Sequence, residues 1–379
     1  MGESFNGVMH SERSGRMSDS EELAATYDVV VVGGGPAGLS GAMALGRARR
    51  SVLVIDSGEP RNAPAGHIHN YLGREGMAPG DLLAIGRTEV AQYGVRVIDA
   101  TVTVARQLAA DLSSEGAETG RNRFELDLAD GRTVRARRLL VATGLTDELP
   151  DVPGLAERWG RDVLHCPYCH GWEVRDQAIG ILGTGPFAGH GALLFRQWSA
   201  DVTLFLHTAP PLSGEETEQL AARGITVVEG EVAAIESRDD RLSGVRLRSG
   251  EVVPRQAIVV APRFVARSDI LTGLGLEATD MEMGGHVIGS YFPAESTGAT
   301  SVPGVYLAGN VTNVVAQVIT SAAAGLWTGA QINASLIAED TERAVVTHRT
   351  RNQSATDPFS AEMEAEVTDL VLGSRRHGI

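Results

Sequence analysis

An apolar run that ends in a glycine turn and continues into an alanine-rich helix occurs twice in this chain, and no other feature constrains the fold as strongly. The first copy is Tyr27-Asp28-Val29-Val30-Val31-Val32, followed by Gly33-Gly34-Gly35-Pro36-Ala37-Gly38 and a helix through about Arg47. A second strand, Ser51 to Ile55, ends at Asp56. Gly33 makes the tight turn, Gly35 lets the backbone approach a pyrophosphate, and Gly38 lets helix and strand pack closely. Pro36 and Ala37 complete the turn as cofactor-binding positions, and Asp56 stands where a ribose hydroxyl is hydrogen-bonded. The second copy is Ala178-Ile179-Gly180-Ile181-Leu182, then Gly183, Gly185 and Ala188, then a helix and the strand Asp201 to Leu206.

Two further apolar strands end in small-residue turns: Leu139 to Gly144, through Ala142-Thr143-Gly144, and Gly304 to Asn310, through Gly309-Asn310. Both return the chain to the first unit, so the second is an insertion. The fold class that follows is α/β, with two Rossmann-like dinucleotide-binding domains, the second inserted into the first. The expected division is 26–146 plus 265–340 for the first domain and 147–264 for the insertion. Residues 1–25, rich in Ser, Glu and Gly, read as a disordered tail. Thr341 to Asp357 reads as a linker, and Ser360 to Leu372 as a helix capped by Ser360 and stopped by Gly373. The ending Arg375-Arg376-His377 stands apart, and the C-terminal helix reads most simply as a surface or dimer-packing element.

A length of 379 residues exceeds what one hydrophobic core usually supports, in keeping with two domains. Lys+Arg 33 against Asp+Glu 48 gives net −15, which argues against a nucleic-acid or anionic-membrane surface. Met1 to Ala25 has no apolar signal core, and glycines with Pro36 break up Tyr27 to Leu45. A cytoplasmic protein without a membrane span is expected.

The 2 cysteines cannot form a structural disulfide framework in so long a chain. They lie in the inserted domain as His165-Cys166-Pro167-Tyr168-Cys169-His170, and a C-x-x-C pair near strand–helix–strand patterning reads as redox-active. Pro167 fits the first position of a helix with Cys166 as its cap, so N–H groups and the positive helix end favour a Cys166 thiolate. Haem attachment would leave the glycine turns unexplained. A zinc site is disfavoured because consecutive positions cannot easily all point inward on one helix turn and no second pair completes a typical structural site, so no metal is expected.

Taken together, the first glycine turn, Ala142-Thr143-Gly144, the inserted C-x-x-C, the second glycine turn, and Gly309-Asn310 followed by Gln317-Val318 resemble the low-molecular-weight thioredoxin reductase family over roughly residues 26–340. Four departures separate this chain from that family's usual pattern. His170 replaces an Asp after the second cysteine. Leu206-His207-Thr208-Ala209-Pro210 lacks the basic residues that hold an NADPH 2′-phosphate. Gly309-Asn310 replaces Gly-Asp, and Ala316-Gln317-Val318 replaces Arg-Gln-Val. The Cys-x-x-Cys-His core is most similar to that of the FAD-dependent dithiol oxidases that close disulfides in gliotoxin and holomycin.

That resemblance implies an FAD enzyme acting on a small-molecule dithiol in a homodimer, with oxygen as acceptor and hydrogen peroxide as product. It makes Cys166 the partner of substrate and Cys169 the residue facing the flavin, and it puts Asn70 and Val104 beside the isoalloxazine. Gln317 and Val318 open a helix, Gln317 to Asn333, aimed at the flavin N1 side. His170 suits the base that removes protons from thiols, with helix capping or packing as the alternative. The second glycine turn is left open between NAD(P)H binding and a purely architectural role. For the C-terminal end, His377 or its neighbours reaching over a flavin is the alternative to surface or dimer packing. Two other readings stand beside the oxidase: a thioredoxin-disulfide reductase fed by a nicotinamide cofactor, and a flavin-binding redox sensor.

Overall fold

A computed structural model describes residues 23–108, 123–267, 269–355 and 361–372. Most of the expected N-terminal tail, the Ser360 cap, Gly373 and Arg375-Arg376-His377 lie outside the described residues. The chain opens with β1 (Thr26–Val32), α1 (Pro36–Arg47), β2 (Val52–Asp56), α2 (Pro79–Ala91) and β3 (Arg96–Asp99), followed by β4 (Val102–Gln107), β5 (Phe124–Leu128) and β6 (Thr133–Val141). These strands form one sheet in the order β3-β2-β1-β6-β5-β4. The β1, β2, β3 and β6 pairings are parallel, while β4, β5 and β6 pair antiparallel. Val29 to Val32 are buried on both faces of the sheet, which is why this strand reads as a continuous apolar run.

The chain leaves this sheet through β7 (Leu145–Glu148) and returns through β16 (Arg263–Ala266), and the two pair antiparallel. Between them lie β8 (Val163–Leu164), α3 (Pro167–His170), β9 (Ile179–Leu182), α4 (Ala188–Phe195), β10 (Val202–Phe205), α5 (Gly214–Ala222) and β11 (Thr226–Val228). Next come β12 (Val232–Arg238), β13 (Arg241–Leu247), β14 (Val252–Val253) and β15 (Ala257–Val259). A parallel sheet, β11-β10-β9-β15-β8, has apolar cores on both faces, and β12-β13-β14 form a small antiparallel sheet. After β16, α6 (Asp269–Gly273) precedes the hairpin of β17 (Thr279–Met283) and β18 (His286–Tyr291), which extends the crossing strands. Finally β19 (Val305–Leu307) joins β6, and α7 (Val318–Ala355) and α8 (Ala361–Leu372) follow.

Helix α7 runs well past Asn333 and takes in most of the stretch expected to be a linker. Residues 341–355 are polar but contain no Gly or Pro, so nothing interrupts the helix. Arg343 pairs with Glu339 at 3.0 Å one turn back, and the Thr341, Thr347 and Thr350 hydroxyls donate to carbonyls four residues earlier. The helix is tied to the first sheet by a charged cluster. Arg137 and Arg138 of β6 are buried and meet Glu339 at 3.1 and 2.7 Å, while Arg50 reaches Asp340 at 2.8 Å. This anchoring holds the middle of α7, while its first turns seat closely on α1, where Gly325 lies against the Ala37 backbone.

Candidate active site

A cleft of about 910 Å³ is lined by both domains. On the first domain its wall includes Gly33, Gly35, Pro36, Ala37 and Asp56, and Ala142, Thr143 and Gly144 continue it. Gly309, Asn310, Gln317 and Val318 also line it. The glycine turn is tight within and open toward the cleft. Gly33 has φ +105°, and a Cβ there would lie 2.4 Å from the Ala142 carbonyl oxygen. A Cβ at Gly38 would sit 1.9 Å from the Gly33 oxygen, whereas one at Gly35 would meet nothing within 4 Å. Such a cradle, in a cleft at the upper end of ordinary ligand-pocket sizes, fits the diphosphate of FAD. Asp56 ends β2 and accepts the Gly34 N–H at 3.1 Å, with Arg87 on its other oxygen.

Asn310 has a local explanation. Its amide nitrogen donates to the Asn313 and Ala316 carbonyls at 3.0 and 2.9 Å and so shapes the loop that delivers Gln317. An aspartate here would present an oxygen to those carbonyls with no proton to share.

Two expected flavin contacts sit elsewhere. Val104 is 44% exposed and does not line the cleft. The β4–β5 pairing shifts register between Val102 and Val104, and it is Val102 that reaches the cleft. Asn70 also lies off the cleft lining, and its amide donates to the Tyr168 carbonyl at 2.6 Å.

Cys166, Cys169 and His170 line the same cleft as the glycine cradle. Pro167 opens α3 and Cys166 precedes it in extended conformation, φ −85° and ψ 120°. Both sulfurs are free thiols, and Gln317 Nε2 lies 4.0 Å from the Cys166 sulfur. The Cys169 thiol, the Cys169 and Tyr168 N–H groups and Gln317 all favour a negative Cys166 sulfur. Against the cost of burial they lower its pKa from 9.0 to about 6. Cys169 moves the opposite way, because it keeps its proton to donate to Cys166 and is itself buried. Cys166 thus occupies the expected N-cap position of α3, though without a side-chain capping hydrogen bond. Iodoacetamide should alkylate Cys166 of the anaerobically reduced enzyme with a midpoint near pH 6, since the thiolate persists at every pH above that. A midpoint near the ordinary thiol value of about 8.5 would contradict this.

His170 closes α3, and burial lowers its pKa although Glu173 opposes the shift. The ring is therefore neutral at pH 7, as a proton acceptor must be. Burial also drives His165 down to about 4, helped by Arg61, and its ring meets Phe264 edge-on at 5.2 Å. Arg61 was not expected from sequence. It grips Asp147 of β7 through two bonds of 2.8 and 2.7 Å and lies over the Phe264 ring at 5.3 Å. It thereby ties a loop of the first domain to both crossing strands. An arginine in Glu59-Pro60-Arg61-Asn62 carries no local signal of partners so distant in sequence.

A second cleft of about 700 Å³ follows the second glycine turn, at Thr184, Gly185 and Pro186. Among the described residues that line it, the one guanidinium, Arg263, is paired with Glu148 at 3.0 Å. His207 accepts the Val232 N–H at 3.0 Å on Nδ1, and burial lowers its pKa, so it brings no charge for a phosphate. Among the described residues, no helix is long and apolar enough to cross a membrane.

Comparison with known proteins agrees with this architecture. HlmI, a solved structure, superposes with a TM-score of 0.76 at 43% identity, over 87% of this chain and 97% of that one. An oxidoreductase from Agrobacterium tumefaciens gives 0.74 at 31% identity, over 82% and 99%. The thioredoxin reductase sirT of Leptosphaeria maculans is 30% identical over 327 residues, 83% of this chain and 95% of that protein. The pyridine nucleotide-disulphide oxidoreductase family matches residues 27–325. The chain belongs to that family and is a thioredoxin reductase-like thiol/disulfide oxidoreductase.

Proposed function

We propose that this protein is an FAD-dependent dithiol oxidase that closes a disulfide in a small-molecule dithiol of natural-product type, with oxygen reduced to hydrogen peroxide. The observation that carries this reading is the sharing of one cleft by the Cys166/Cys169 pair, His170 and the glycine cradle, while among the described residues the second cleft offers no unpaired guanidinium for a 2′-phosphate. Gly33, Gly35, Pro36, Ala37 and Asp56 would hold the adenosine diphosphate half of FAD. Ala142, Thr143, Gly144, Gly309, Asn310, Gln317 and Val318 would hold the remainder. When bound, FAD supplies a two-electron acceptor for the thiol pair and a donor to molecular oxygen.

The chain's own residues carry the sulfur chemistry. A substrate thiolate attacks the Cys166 sulfur of the Cys166–Cys169 disulfide, releasing the Cys169 thiolate. The second substrate thiol then attacks the mixed disulfide, so the substrate is oxidised to its cyclic disulfide and the enzyme is reduced to the dithiol. Neutral His170 takes protons from attacking thiols. An aspartate, ionised far below neutrality, is a weaker acceptor at pH 7. Tyr168 and Trp172, both exposed beside the pair, offer an aromatic rim to a small substrate. The enzyme works as a cytoplasmic homodimer on this reading.

Oxygen consumption with small dithiols is the test. Sustained uptake with peroxide release, and none with NADPH plus thioredoxin, is the expected result. Rapid NADPH-driven reduction of thioredoxin would instead establish the reductase reading.

A further inference from the structure

We propose that Asn70 is a positioning residue that clasps the Cys166-to-Cys169 turn to the flavin-binding domain, with Glu75 and His69 holding Asn70 in place. The proposal rests on the dithiol-oxidase reading and deepens it. Asn70 adopts φ +60°, a left-handed conformation that Asn tolerates better than most residues with a side chain. Its backbone N–H donates to Glu75 Oε2 at 2.8 Å, and the other oxygen of that carboxylate meets His69 Nδ1 at 2.5 Å. With its backbone fixed in this way, the Asn70 amide donates to the Tyr168 carbonyl at 2.6 Å, across 98 positions of sequence. A second contact runs in parallel, since His69 Nε2 lies 3.5 Å from Glu173, just beyond α3.

The target of the clasp matters for the chemistry. Tyr168 lies between the two cysteines, and its N–H is one of the groups that stabilise the Cys166 thiolate. Holding its carbonyl therefore fixes both the helical turn that lowers the Cys166 pKa and the seat of the pair in the cleft shared with the glycine cradle. Electron transfer from a thiol pair to a cofactor depends steeply on approach, so a clasp of this kind acts on rate rather than on substrate affinity. The loop His67 to Glu75 reaches the segment 168–173 through the Asn70 amide and the His69 ring. The sequence reading instead put Asn70 against the isoalloxazine, and the two roles have separable consequences.

The experiment uses FAD-loaded full-length enzyme and dithiothreitol. Asn70→Gly keeps the left-handed backbone and deletes the donor, and Asn70→Asp keeps the shape and faces the Tyr168 carbonyl with an oxygen. In anaerobic stopped flow both variants are expected to bleach the flavin about tenfold more slowly at saturating dithiol, since in both the Tyr168 carbonyl loses its donor. The half-saturating dithiol concentration and the FAD content should not change. Amide hydrogen exchange in residues 166–171 should be faster in both. Wild-type bleaching rates, or unchanged exchange, would overturn the clasp. Loss of FAD from the variants would also overturn it and would restore Asn70 as a flavin contact. If dithiothreitol fails to bleach the wild-type enzyme, the oxidase reading is what falls, and the exchange measurement still decides the clasp.

Discussion

Replacing Cys169 by serine should give a protein that keeps its FAD and stays yellow when a small dithiol is added without oxygen, with turnover reduced on the order of 10³-fold or more. A serine oxygen cannot close the enzyme disulfide, so the electron pair has no route from substrate sulfur into the cleft. A second, independent sign comes from removing the donor altogether. The Cys169 thiol is the largest influence that lowers the Cys166 pKa from 9.0 to about 6, so Cys166 should titrate measurably higher in an alkylation series on Cys169→Ala, whereas the hydroxyl of Cys169→Ser can still donate. Undiminished turnover would refute the role of Cys169. An unmoved Cys166 titration in Cys169→Ala would show that the N–H groups of α3 and Gln317 hold the thiolate without the Cys169 thiol.

The second large effect is expected at His170. Burial depresses its pKa, so the neutral ring predominates at pH 7 and is lost as pH falls through that lowered value. Wild-type kcat should therefore hold level at neutral pH and decline on the acid side, below the ordinary histidine value of about 6.5. Histidine at position 170 replaced by glutamine removes the acceptor and should cut kcat about 10²-fold at pH 7, the lower range for a general base. The deficit should shrink toward alkaline pH, where substrate thiols ionise unaided near about 8.5. A deficit of the same size at every pH would assign His170 to packing or capping instead, as would loss of FAD from the variant.

What could be read from the sequence was local in origin. The strand, glycine turn, helix and acid at residues 27–56 lie within one supersecondary unit, and the Pro167 start with Cys166 as cap needs only four consecutive residues. The parts that escaped depend on distant partners or on backbone irregularities. Arg61 gains its meaning from Asp147, 86 positions away, and Asn70 from Tyr168, 98 positions away. Val104 is turned from the cleft by a register shift that no side-chain pattern announces. The tail of α7 was mistaken for a linker because its composition is polar. Its backbone needed only freedom from Gly and Pro, an ion pair to Glu339 and the anchorage supplied by Arg137 and Arg138. Asn310 shows the same limit from another side. Its exchange for aspartate was visible as a departure, but only the three-dimensional loop shows that the amide is needed as a donor.

The central claim is that the Cys166/Cys169 pair and an FAD held in the same cleft exchange electron pairs. The most direct measurement is an anaerobic titration of the FAD-loaded wild-type protein with a small dithiol, followed through the flavin absorbance. The account predicts that the band bleaches to completion and returns when air is admitted, with peroxide formed. A bound flavin whose absorbance stays unchanged at every dithiol concentration would contradict it.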